Sequence, residues 1–65
     1  MVGKTIAKLR KKKGWTQKEL AKVTGLSRSR VAAIEEGDHP RIKTVAIIAE
    51  ALGVEIREIY EGDYL

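Results

Sequence analysis

The chain has 65 residues, a net charge of +4 and no cysteine, so it has room for one domain, held by neither a disulfide framework nor a cysteine-based zinc site. A domain of this size buries only about 60% of its unfolded surface, which leaves little room for a substrate pocket. No apolar run approaches the roughly 18 residues needed to span a bilayer, and no signal-peptide core opens the chain. Residues 1–65 are therefore expected to form a single soluble, cytoplasmic domain with no membrane contact and no second, sensing domain.

In chain order, the spacing predicts a first helix over residues 3–13, with Val2, Ile6 and Leu9 as its buried stripe. Arg10 falls one turn beyond Ile6, at the core boundary, where its charge needs an anion. Gly14 ends this helix, and Trp15 is expected to wedge between helices. A second helix opens at Thr16, because Glu19 three residues later completes a capping box. Leu20 and Ala21 form its inner face, and Gly25 supplies the left-handed turn at its end. Ser27 caps a third helix over residues 27–36. There Val31 and Ile34 point inward, Ser29, Ala32, Ala33 and Glu36 point outward, and Arg28 lies at the edge of the outer face.

Residues 37–40, Gly-Asp-His-Pro, read as a turn. A fourth helix then runs from about Arg41 to Leu52, with Ile42, Val45, Ile48, Ala49 and Leu52 inward and Ile47 off the stripe. A short fifth helix over about 55–60 brings Ile56 and Ile59 to the core. The fold class is all-α, with a helix-turn-helix at helices 2 and 3.

Charge divides along this order. Residues 1–34 carry ten basic residues against Glu19 alone, a net +9, and residues 35–65 carry three basic against eight acidic, a net −5. The helix-turn-helix lies mostly in the basic part, whose natural partner is a polyanion. Other chemistry finds no support. His39 is the single histidine, so it has no second ligand for a metal and no nucleophile placed beside it. Ser27 and Ser29 lack a base, and the carboxylates form no recognisable acid/base pair. No metal, no cofactor and no enzymatic activity are expected.

The combination of IAKLRKKKGWTQKELA at residues 6–21, IEEG at 34–37 and IIAEALGV at 47–54 resembles the helix-turn-helix family of phage repressors and Cro proteins, which includes xenobiotic-response-type regulators. The resemblance implies a compact five-helix, repressor-like DNA-binding domain that acts as a transcriptional regulator on double-stranded DNA. It implies an ion pair of Arg10 with Glu35, a DNA contact from Gln17, and base contacts from Arg28 and Ser29. Free N–H groups at the start of the Thr16 helix suit a phosphate oxygen. Thr16, Gln17, Lys18, Arg30 and Lys43 are the phosphate candidates, and Ala32 and Ala33 join Arg28 and Ser29 as base contacts.

Related proteins often dimerise through the fifth helix. A homodimer through Ile47, Ile56, Tyr60 and Leu65 would set two recognition helices about 34 Å apart. The chain departs from the family pattern at Ala33, Glu36 and Asp38, where relatives often carry basic residues, and at Arg41, where they usually carry a serine cap. The acidic C-terminal half supports a second possibility: an antitoxin or anti-repressor module that binds a protein partner.

Overall fold

Local capping chemistry sets the helix starts. In the computed structural model, which describes residues 2–62, the Thr16 hydroxyl accepts from the Glu19 N–H at 3.0 Å, and the Glu19 carboxylate accepts from the Thr16 N–H at 2.8 Å. This closed capping box opens α2 (Gln17–Thr24), and the Ser27 hydroxyl accepts from the Arg30 N–H at 3.0 Å to open α3 (Arg28–Glu36). Between them Gly25 sits at φ 79°, where its N–H reaches back to the Ala21 carbonyl. The tight turn between α2 and α3 depends on that left-handed residue.

The other helices are α1 (Val2–Lys12), α4 (Ile42–Leu52) and α5 (Ile56–Glu61). Helix α1 stops a residue earlier than the spacing suggested, since Lys13 already belongs to the turn. Arg41 occupies the cap position of α4 without a side-chain hydrogen bond. Helix α5 is held at its start by the Glu58 carboxylate, which accepts from the Glu55 N–H at 2.7 Å. No strand occurs among the described residues.

Each helix contributes to one core. Ile6, Leu20, Val31, Ile34, Val45, Ile48 and Ile59 are fully buried, and Val2, Leu9, Trp15, Leu26, Val54 and Ile56 pack around them. Helix α3 lies against both α1 and α2, while α4 packs on α2 and α5. Helix α1 approaches α3 closely at Gly3, where a Cβ would collide with the Ile34 carbonyl oxygen. Helix spacing alone marked Gly3 only as the start of a helix.

One core assignment is corrected. Ile42 is 63% exposed rather than inward. It opens α4 at the edge of the Val45–Ile48–Ala49–Leu52 stripe, about 70° from the centre at 100° per residue, and the neighbouring helices cover only that centre. Ile47 is 46% exposed, in keeping with its position off the stripe.

Candidate nucleic-acid interface

The interface candidates are organised by a buried ion pair. Arg10 on α1 donates from Nε to Glu35 Oε2 at 2.7 Å and from Nη2 to Oε1 at 2.9 Å, a two-pronged grip on the last turn of α3. Its Nη1 donates to the Trp15 carbonyl at 2.8 Å. The two side chains retain only 9% and 7% of their exposure, so water screens the pair poorly. Burial by itself pushes the Glu35 carboxyl up, but hydrogen bonds from Arg10 and Gln17 and the charges of Arg10 and Lys11 outweigh it and hold the group below its ordinary value. The bond to Glu35 correspondingly raises the Arg10 guanidinium, against the opposing effect of burial.

Gln17 has a more defined place than spacing could give it. Its Nε2 donates to Glu35 Oε1 at 3.0 Å. The amide nitrogen must face the carboxylate there, since the amide oxygen would be repelled. One amide hydrogen of Gln17 is therefore occupied and the other remains for a ligand. The capping box likewise uses the Thr16 and Glu19 N–H groups. The Gln17 and Lys18 N–H groups are left without helical acceptors at the start of α2.

An open hollow of about 410 Å³ lies in front of this helix start, lined by Arg10, Thr16, Gln17, Lys18 and Arg28. It joins the positive end of α2 to the first residue of α3. Arg28 and Ser29 are both exposed on the opening turn of α3, where the Ser29 hydroxyl lies 3.4 Å from that of Ser27. Ala32 and Ala33 are half-buried rather than fully outward, because α3 is flanked by α1 and α2 and a methyl group projects little beyond the backbone.

Two phosphate candidates stand apart from the hollow. Arg30 faces Asp38, with Nη1 3.6 Å from Oδ2 in a partly exposed pair. Lys43 is exposed on the first turn of α4. Of the dimer candidates, Tyr60 is 43% exposed, Ile56 is half-buried against the core, and Leu65 lies outside the described residues. No group of His, Asp or Glu suited to a metal occurs among the described residues, and no described helix is long and apolar enough to cross a membrane.

Comparison with known proteins places this geometry. A helix-turn-helix family model matches residues 6–59. The chain is similar to the HTH-type transcriptional regulator SlrR of Bacillus subtilis, with 32% identity over 97% of this chain and 43% of SlrR; it thus spans less than half the length of that relative. It is 45% identical to the uncharacterized HTH-type transcriptional regulator MJ0272 of Methanocaldococcus jannaschii, over 74% of this chain and 77% of that one. Among solved structures, SinR, the master regulator for biofilm formation, determined in complex with DNA, superposes with a TM-score of 0.87 at 29% identity, covering 92% of this chain and 98% of that one. The chain belongs to the helix-turn-helix family of Cro/C1-type transcriptional regulators.

Proposed function

We propose that this protein binds double-stranded DNA sequence-specifically as a repressor-like regulator, with the opening turn of α3 in the major groove. The observation that carries this is the hollow lined jointly by Thr16, Gln17 and Lys18 at the start of α2 and by Arg28 at the start of α3. That SinR, to which the chain is similar, was determined in complex with DNA supports a DNA-binding reading. A phosphate oxygen at the start of α2 meets the N–H groups of Gln17 and Lys18, the remaining amide hydrogen of Gln17 and the Lys18 ammonium. The Thr16 hydroxyl, which accepts from Glu19, keeps its own hydrogen for the same phosphate.

With register set in this way, Arg28 reaches the guanine O6 and N7 acceptors, worth about 1–3 kcal/mol of discrimination. Ser29 reads an adjacent base edge, and Ala32 and Ala33 admit a thymine methyl. Arg30 and Lys43 serve the flanking backbone, Arg30 after leaving Asp38. A homodimer through Ile47, Ile56 and Tyr60 presents two such surfaces to a two-fold symmetric operator, with half-sites about one helical turn apart.

Selection of bound sequences from a random duplex library, for the native chain and for Arg28→Ala, tests this directly. The expected result is a two-fold symmetric motif that loses preference at one position per half-site in the variant. Equal loss of affinity for all sequences would remove Arg28 from base reading. A folded protein that enriches nothing would turn attention to a protein partner.

A further inference from the structure

The exposed lysines of α1 are given no DNA contact in the site described above, yet their arrangement continues it. Lys4, Lys8 and Lys11 recur at spacings of four and three, which sets them on one face of α1, and all three are exposed. None forms an ion pair among the described residues. They border a second open hollow, of about 540 Å³, whose other walls include Gln17, Glu35 and Glu36. Gln17 lines both hollows, so the lysine ridge and the start of α2 share one continuous surface.

We infer that Lys4, Lys8 and Lys11 form a second DNA-backbone site, which takes the phosphates that lead outward from the one held at the start of α2. This rests on the DNA-binding role proposed above. The seven residues from Lys4 to Lys11 rise about 10.5 Å along α1, long enough for the lysines to meet more than one backbone phosphate. The wall chemistry also sets the path. Glu35 is neutralised by Arg10 and is occupied by Gln17, whereas the Glu36 carboxylate is exposed and repels phosphate. The strand therefore runs along the α1 side of the hollow. An acidic protein surface is the competing partner, but it would not require continuity with Gln17.

The test compares two charge-matched variants on a long duplex carrying the enriched sequence. Lys4→Gln with Lys8→Gln removes two ridge charges, and Lys22→Gln with Arg57→Gln removes two exposed charges from α2 and α5. Glutamine matches lysine closely in helix propensity, and thermal melts check that both variants fold. The ridge variant is expected to flatten the slope of log affinity against log salt by about 1.8, from roughly 0.9 per lost phosphate contact. The control should change it by less than half as much. Trimming the duplex flanks should weaken the native chain more than the ridge variant. Equal slopes for the two variants, or a ridge variant with the native slope, would overturn the inference. If the native chain binds no duplex, the DNA-binding role fails and the ridge site falls with it.

Discussion

Gln17 at the start of α2 and Glu35 in the last turn of α3 are joined by a 3.0 Å hydrogen bond, and the same carboxylate is gripped twice by Arg10. The amide proposed to meet phosphate is thereby oriented by a buried charge pair, and in that reading DNA affinity and fold stability share one carboxylate. The two roles separate by substitution. Gln17→Ala should leave the fold intact and weaken DNA binding roughly tenfold, since a hydrogen bond to a charged group contributes about 1.5 kcal/mol or more. Because Gln17 is neutral, the salt slope should stay near the native value. Titrations of a labelled duplex at several salt concentrations check both points, and a flattened slope would count against a neutral contact.

Glu35→Ala should act on the fold. It leaves Arg10 buried without its anion, at a cost of about 3 kcal/mol, the lower end for breaking a buried pair. A 65-residue domain has a total stability of only about 3–10 kcal/mol, so much of the margin is removed. Urea denaturation followed by circular dichroism measures the loss; a change within about 0.5 kcal/mol would place the pair among ordinary surface contacts.

The same carboxylate predicts an acid dependence. Glu35 is held below its ordinary value in the folded chain, so the unfolded chain takes up its proton at higher pH. Its contribution is fully present above the ordinary glutamate value of about 4.3, and it is lost as pH falls through the lowered folded value. Stability measured from neutral to acidic pH should fall along this limb for the native chain. In Glu35→Gln the limb should be shallower, while neutral-pH stability is already reduced.

Gly3→Ala should cost about 1–3 kcal/mol, the usual range for overpacking. The added methyl meets the Ile34 backbone carbonyl rather than a movable side chain, so α1 must retreat from α3. Chemical denaturation provides the measurement. Alanine is the better helix former, and a gain in stability would show that the two helices separate without cost.

Exposed Ile47 and Tyr60 lie on α4 and α5, which pack together. Ile47→Asp with Tyr60→Glu should leave the monomer folded and abolish dimerisation in sedimentation equilibrium. Cooperative occupation of two half-sites should disappear with it. A double variant that still dimerises would move the interface elsewhere.

The sequence by itself determined the helices and most of the core. Thr16 with Glu19, Ser27 and Gly25 act within three or four residues of themselves, so their chemistry is readable in a linear string. The stripes of α1, α3 and α4 follow helical spacing for the same reason, and Ile42 escaped it because cover at a helix end depends on the neighbouring helices. The family resemblance, rather than spacing, suggested Arg10 with Glu35. Only tertiary structure decided that Gln17 shares that carboxylate, that Gly3 permits the α1–α3 approach, and that the α1 lysines continue the surface at Gln17. The Gln17–Glu35 bond spans 18 residues of chain, and the other two relationships likewise join residues on different helices. Such contacts arise from how helices pack, which no local periodicity encodes.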